Sequence, residues 1–360
     1  MISDARIKVS VCVPVYKVET CVEQCARSLF EQTMKAGIEF VFVDDCSPDG
    51  SVDAIKRVLA DYHERQGQVR FIHNAVNSGA SVTRNNALEA SAGEYVLFVD
   101  ADDVLESDWT EWAIAAAERT DADCVFGRVT RCASAEDGRR IAGHYETANI
   151  ELEGDERWRV QEELLKSATD ILPNLPYVDL GPCGKLFRRA VLADVRFPTG
   201  IKCSEDQVFV HAAVRKARKI VLTNRSAYLY ICNLSSSTHR MKQGVLESIF
   251  RAQRLVRGEQ VDFGKTANAF YWRIIEESWM GFCMENFAGR DSRPLRETIR
   301  SLRDLRGNEP LLAEALAHVH MSRIASWKHR LKVGLLVYCP RLCLALKTAK
   351  ERLKAFRGRN

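Results

Sequence analysis

The sequence predicts an α/β protein: a Rossmann-like, mostly parallel sheet flanked by helices, followed by a C-terminal helical region. Three observations lead there. Apolar, β-branched runs alternate with helix-period segments as far as Arg131, the pattern of successive βαβ units. Amphipathic helical segments then dominate from about Met241 to Leu316. The 360 residues, 46% hydrophobic and 28% charged, are ample for a sizeable core in one large or two fused domains.

The elements follow in order. "KVSVCVPVY" (8–16) is apolar and β-branched, a buried strand. In "VETCVEQCARSLFEQT", Val18, Val22, Cys25, Ala26 and Leu29 share one helical face. "IEFVFVDD" (38–45) is a second strand, and "SVDAIKRVLADYHERQ" a helix capped by Ser51 or Asp49. "VRFIH" (69–73) is the third strand. "SGASVTRNNALEASAG" is a helix that stops near Gly93. "YVLFVD" is the fourth strand, "SDWTEWAIAAAERT" a helix and "CVFGRVTR" (124–131) the fifth strand. After Arg131 the pattern loosens into loops and short strands. Residues 159–172, "GPCGKLFRRAVLADVRF" and "SEDQVFVHAAVRKARKIVLT" then each read as a helix. No internal repeat is evident.

Composition removes several classes. The 12 cysteines are scattered and form no CxxC pair, so buried reduced thiols are expected rather than structural zinc. His73, His144, His211 and His239 have no ligand spacing. Trp109/Trp112 and Tyr271/Trp272 are expected to pack rather than to bind sugar. The N-terminus does not read as a signal peptide, and no apolar run reaches the roughly 18 residues of a membrane span. Charge is uneven. From Arg323 onward eleven Lys or Arg face a single acid, Glu351, a net of +10; set against the chain's +4, this leaves the rest at −6.

In parallel α/β sheets, ligands bind beyond the carboxyl ends of the strands. Those ends carry Pro14-Val15-Tyr16, Asp44-Asp45 and Asp100-Ala101-Asp102-Asp103. Asp-x-Asp at a strand end suits a hard divalent cation, Mg²⁺ or Mn²⁺, with positions left open for phosphate oxygens. Alternatively Asp102 or Asp103 caps the next helix. Asp44-Asp45 opens the turn "DDCSPDGS", where an acid also suits the N–H of a pyrimidine base. Glu205-Asp206 reads as an acidic first helical turn, favourable at the positive end of the dipole, or as a general base.

Several stretches in order resemble family 2 glycosyltransferases with the GT-A fold, of the bacterial capsule, lipopolysaccharide and exopolysaccharide type. They are "VSVCVPVYKVETCVEQCARSLFEQT", "EFVFVDDCSPDGS", "NSGASVTRNNALEASAGEYVLFVDADD", "GKLFRRAVL", "RFPTGIKCSEDQVF" and "AYLYICNLSSST", from Val9 to Thr238. The resemblance implies residues 1–130 as the nucleotide-sugar half and 131–238 as the acceptor-side half; the amphipathic pattern marks 239–322 as a helical region, and charge marks 323–360 as a basic amphipathic tail. It implies an inverting, metal-dependent enzyme using a nucleotide-sugar, a UDP-sugar by expectation, and a glycan or lipid-linked acceptor. Pro14 and Tyr16 would line the base, Asp45 would hold it and Asp44 would lie beside it. Arg84, from "TRNN", would lie near the nucleotide. Asp100 would touch the sugar-nucleotide and Asp102 would ligate the metal. Asp206 would be the catalytic base, with Glu205 as its competitor, and Lys185 and the "LSSST" segment would approach the diphosphate or acceptor. The chain departs from the family pattern at Cys46, where glycine is usual, and at Cys203-Ser204.

The sequence also admits two rival readings. A sugar nucleotidyltransferase would need a glycine-rich basic loop in place of "CVPVYKVE". A non-catalytic nucleotide-sugar binding protein would have no use for Asp206. The tail is expected to form two short amphipathic helices flanking Pro340 that lie on an anionic membrane surface, which would make the protein cytoplasmic and peripheral on the inner face of the cytoplasmic membrane. The acidic body and the lack of a recognition motif speak against nucleic acid as a partner.

Overall fold

Strand β1 (Val9–Val15) is buried on both faces, as a strand inside a covered parallel sheet must be, and pairs in parallel with β2 (Ile38–Asp44) and β4 (Tyr95–Phe98). The computed structural model describes residues 6–142, 149–166, 178–232, 244–287, 295–323 and 327–347. They fall into two compact units, one of residues 1–160, 174–200 and 205–234, the other of 161–173, 201–204 and 235–360.

In the first unit, α1 (Val22–Phe30) follows β1 and α2 (Ser51–Leu59) follows β2. After α2 come β3 (Val69–His73) and then α3 (Ala80–Ala90), which leads into β4. Helix α1 turns Val22, Cys25, Ala26 and Leu29 inward, the face its spacing predicts. Beyond β4 lie β5 (Val104–Leu105), α4 (Trp109–Thr120), β6 (Cys124–Cys132), α5 (Ala135–Ala142) and β7 (Asn149–Glu153), and then α6 (Trp158–Leu165), whose residues from Gln161 on belong to the second unit. Strand β8 (Lys185–Arg188), α7 (Glu205–Lys216) and β9 (Lys219–Ile231) complete the unit. The sheet order is β3-β2-β1-β4-β8-β6-β9-β5, with β7 also paired to β9. Strands β3, β2, β1 and β4 are parallel, β8 is antiparallel to both neighbours, and β9 is parallel to β6.

Three local expectations are corrected. Residues 185–188 are a strand, not part of a helix. Leu186 and Phe187 are both fully buried between β4 and β6, so periodicity cannot tell strand from helix there. The helix from Glu205 stops at Lys216, and the β-branched run behind it is β9; no Gly or Pro marks that boundary. Within the stretch read as loops, Ala135–Ala142 is a helix. A Cβ on its Gly138 would stand 2.8 Å from Cys132 Sγ, so the missing side chain lets the helix lie close against β6. Of the two caps expected for α2, Asp49 is the one in place: its Oδ1 accepts from the Ser51 N–H at 3.3 Å and from the Ser51 hydroxyl at 2.5 Å.

The second unit is helical: α8 (Val245–Gly258), α9 (Phe263–Phe287), α10 (Leu295–Asn308), α11 (Pro310–His318) and α12 (Trp327–Tyr338), with residues 340–347 helical beyond Pro340. Helix α9 is its centre, packed on α8, α11 and α12, with Phe270, Trp272 and Ile274 buried and Phe282 clustered with Leu302 and Leu344. Helix α11 has Pro310 in its first turn and the Glu309 carboxylate on the Leu311 N–H at 3.1 Å. Both aromatic pairs named from the sequence pack: Trp109 and Trp112 stack at 5.5 Å, and Tyr271 and Trp272 are buried. The cysteines are free, five of them buried and Cys46, Cys232 and Cys339 exposed. His144, His239 and the "LSSST" segment lie outside the described residues.

Candidate active site

Parallel register brings the strand ends together. Val15 lies opposite Asp44, and Asp44 opposite His73, so Tyr16, Asp44, Asp45 and His73 share one edge with the end of β4. Two non-glycine residues beside these ends hold left-handed backbone, Lys17 (φ 54°) and Cys46 (φ 59°). Each costs on the order of 1 kcal/mol, strain of the kind that gathers at functional sites. Cys46 therefore occupies a position where glycine would be unstrained.

The two adjacent acids have different partners. Asp45 is 3% exposed, and both its oxygens are engaged. Oδ1 accepts from Asn74 Nδ2 and the Ser78 N–H, Oδ2 from the Gly79 N–H, each at 2.8 Å. It anchors the entry to α3. Asp44 Oδ1 accepts from the Ser47 N–H at 3.0 Å, and Oδ2 lies 3.2 Å from His73 Nδ1. Tyr16 is exposed, with the Lys17 ammonium 5.2 Å from its ring centre, and Pro14 is half-buried.

Arg84, on α3, joins the remaining groups. Its Nη2 donates to Asp100 Oδ1 at 2.7 Å and its Nη1 to Asp206 Oδ1 at 2.8 Å, with Glu205 at 3.7 Å. Burial opposes its charge, but Asp100 and Asp206 outweigh burial and hold the guanidinium firmly protonated. Nε is buried with no partner among the described residues. An unmet buried donor costs about 1–3 kcal/mol, and stability alone does not account for it. Asp206 keeps 31% of its side chain exposed. Its carboxyl is pushed up to about 7 by removal from water; Arg84 opposes this, while Glu205, Asp100 and Asp179 add to it.

The Asp-x-Asp loop is held from β9. Tyr228 accepts from the Asp100 N–H at 3.0 Å and donates to Asp103 Oδ2 at 2.8 Å, while Asp103 Oδ1 accepts from the Ile231 N–H at 2.8 Å. Asp103 is thus a buried tie between the loop and β9, not a helix cap; the residue ahead of α4 is Asp108. Burial, then Asp100 and Asp102, push the Asp103 carboxyl up to about 8. Burial and Asp100 likewise raise Asp102, which is half-buried. Among the described residues no three His, Cys, Asp or Glu side chains group to hold a metal by themselves. Lys185 is fully buried, and its ammonium donates to the Gly181 carbonyl at 2.5 Å.

The fold thus brings Arg84, Asp100, Asp206 and Glu205 into contact, and gathers Tyr16, Asp44 and Asp45 at neighbouring strand ends. Sequence reasoning missed Tyr228, His73, Asn74 and Asp179. Tyr228 lies in the quoted "AYLYI", and His73 and Asn74 end a strand on the same edge.

Residues 10–196 match the family model described as glycosyl transferase family 2. The chain belongs to that family. Among curated family relatives, a poly(ribitol-phosphate) beta-glucosyltransferase of Bacillus spizizenii is 32% identical over 232 residues, covering 62% of this chain and 32% of that protein. The uncharacterized glycosyltransferase EpsJ of Bacillus subtilis is 32% identical over 232 residues, covering 64% and 62%. The poly(ribitol-phosphate) beta-N-acetylglucosaminyltransferase TarS of Staphylococcus aureus is 26% identical over 260 residues, covering 70% and 40%. The chain therefore spans between about a third and just under two thirds of the length of these relatives. Among solved structures, S. aureus TarS 1–349 in complex with UDP-GlcNAc superposes with a TM-score of 0.63 at 22% identity, over 91% of this chain and 87% of that one. The fold is GT-A.

Proposed function

We propose that this chain moves a glycosyl group from a UDP-sugar to a hydroxyl of a glycan or lipid-linked acceptor in cell-wall or exopolysaccharide synthesis, with inversion at the anomeric carbon. One observation carries the reading. Arg84 stands between Asp100, at a sheet strand end, and Asp206, on the first turn of α7, so a donor-side and an acceptor-side acid meet in one site. Family membership supports the reaction class. The names of the poly(ribitol-phosphate) relatives make UDP-glucose and UDP-GlcNAc the first donors to test. Their β products support inversion where the donor is α-linked.

Pro14, Tyr16 and Asp44 would meet the base, since Asp45 is already committed to the amides ahead of α3. Asp100 and Arg84 would border the sugar and diphosphate, and Lys185 would hold the turn at Gly181. Asp102 would hold Mg²⁺ or Mn²⁺. The donor set fits such an ion: hard carboxylate oxygens, few protein ligands, and acids crowded enough that a cation would relieve them. Bound there, the ion would stabilise the charge developing on the leaving nucleoside diphosphate. Asp206 takes the proton of the acceptor hydroxyl as that oxygen bonds to the anomeric carbon. The bond from this carbon to the diphosphate oxygen breaks on the opposite face. Asp206 is favoured over Glu205 because it is the more exposed, 31% against 17%. A base with a pKa of about 7 is ionised as the pH rises through neutrality, so the rate is expected to be lost on the acid side of about 7.

The test is a thermal-shift screen of UDP-sugars with each metal, followed by Asp206→Asn. A bound donor at a hundredfold excess stabilises by about 2.7 kcal/mol. The variant should keep donor binding and lose transfer by several orders of magnitude. Near-wild-type turnover would move the base elsewhere. Donor binding without transfer or hydrolysis by the wild type would make the chain a binding protein instead.

The tail supports a membrane-facing acceptor. Trp327, Leu331, Tyr338, Leu342 and Leu346 are exposed at spacings of four and seven, while Val333, Leu336 and Leu344 are buried. Among the described residues no helix is long and apolar enough to cross a membrane. An apolar stripe on a tail of net +10 suits insertion into the interface of an anionic leaflet, on the cytoplasmic face.

A further inference from the structure

Arg84 and its neighbour Asn85 form a clamp whose parts come from three distant stretches of chain. Asn85 Nδ2 donates to the Phe197 carbonyl at 2.9 Å, and Asn85 Oδ1 accepts from the Phe197 N–H, also at 2.9 Å. The backbone of Phe197 is therefore pinned to α3 in both directions. Its ring lies 5.3 Å from the Arg84 guanidinium carbon and stacks on Phe209 of α7 at 3.9 Å with the planes 2° apart. Phe98 of β4 meets both rings edge-on, at 5.2 and 5.3 Å. The guanidinium thus sits on an aromatic floor shared by the strand that leads to Asp100 and the helix that carries Asp206. Its planar fork sets the spacing of the two carboxylates it bridges.

We propose that Arg84, braced by Asn85 and Phe197, is the positioning residue that fixes where Asp206 stands and in which protonation state it waits for the acceptor. This rests on the reading of Asp206 as the base. The groups facing Asp206 are Arg84 from α3, Asp100 beyond β4, Asp179 from the turn before β8, Glu205 on α7 itself, and, further off, Lys185 on β8. Lys185 is committed to the Gly181 carbonyl, so Arg84 is the cation hydrogen-bonded to the Asp206 carboxylate. It opposes the burial and the three neighbouring acids that favour the protonated form. A flexible ammonium at position 84 would keep the charge and lose the fork. An uncharged amide would lose the charge as well.

The test compares Arg84→Gln and Arg84→Lys, with Asp206→Asn as the control. The readouts are kcat, donor KM, the pH profile of kcat/KM, and the carboxyl titration of Asp206 followed by ¹³C NMR in the donor-free full chain. In Arg84→Gln the acid limb and the NMR midpoint should both move alkaline by about 1–3 pH units, because the opposite charge that held them down is gone. In Arg84→Lys the limb should stay within about half a unit, with kcat falling about tenfold or more and donor KM changing little. Uniform loss at every pH in Arg84→Gln, with an unmoved NMR midpoint, would overturn the charge-setting role. Wild-type kcat in Arg84→Lys would overturn the positioning role, and that arm stands even if the glutamine variant melts early. Transfer by Asp206→Asn would instead condemn the assignment of the base, while the NMR midpoints would still report the Arg84–Asp206 coupling.

Discussion

Replacing Tyr228 by phenylalanine removes one oxygen from a fully buried place and should cost far more than an ordinary Tyr-to-Phe change. That hydroxyl accepts from the Asp100 N–H at 3.0 Å and donates to Asp103 Oδ2 at 2.8 Å, and its residue is 1% exposed. The variant leaves a buried amide donor and a buried carboxyl oxygen unmet. Each costs about 1–3 kcal/mol, with the lower half apt for Asp103, which keeps the Ile231 N–H. The expected total is about 2–4 kcal/mol, a fall in Tm of roughly 5–10 °C for a unit of this size. Urea unfolding should show a lower midpoint at an unchanged m-value. If the lost contact is the cause, a cycle with Asp103→Asn should be non-additive by about 1–2 kcal/mol. Donor affinity should fall too, since the same hydroxyl steadies the backbone of Asp100. A loss below about 0.5 kcal/mol, or strict additivity with Asp103→Asn, would refute the reasoning.

Three further outcomes are expected. Asp102→Ala, like removal of divalent cations by a chelator, should abolish metal-dependent UDP binding in calorimetry; unchanged metal dependence in the variant would dismiss Asp102 as the ligand. Asp206→Asn should melt above the wild type at pH 8 and level with it near pH 4. A carboxyl raised to about 7 in the fold loses stability as pH climbs from the ordinary carboxylate range through 7, and the amide is spared that loss; equal melting at both pH values would contradict the raised carboxyl. A chain ending at Ser322 should no longer sediment with anionic liposomes at low salt, whereas the full chain should; equal sedimentation of both, or indifference to lipid charge, would remove the membrane role.

Much of the candidate site's strand-end half was legible in the sequence. Strands β1 to β4 alternate with helices of clear period, and a parallel sheet puts its ligand groups at one end, so Tyr16, Asp44, Asp45, Asp100 and Asp102 could be named from their place in the chain alone. What lay beyond reach were choices made by packing. Residues 185–188 are a strand because the gap between β4 and β6 demands one, and their doubly buried Leu186 and Phe187 carry no period of their own. Asp44 and Asp45 are neighbours of the same type, yet Asp45 is taken up by the amides ahead of α3 and Asp44 is not.

Local sequence by itself determined the alternation of β1 to β4 with their helices, the acids at those strand ends and the basic tail, because propensity, period and charge are properties of short stretches. Only the tertiary structure decided which side chains answer one another. Arg84 and Asp206 are separated by 122 positions, and Tyr228 and Asp103 by 125. A planar cation shared by two acids, or a hydroxyl serving both an amide and a carboxyl, exists only once α3, β4, α7 and β9 are packed together. Burial then sets the strength of each contact, and burial is a property of the folded chain.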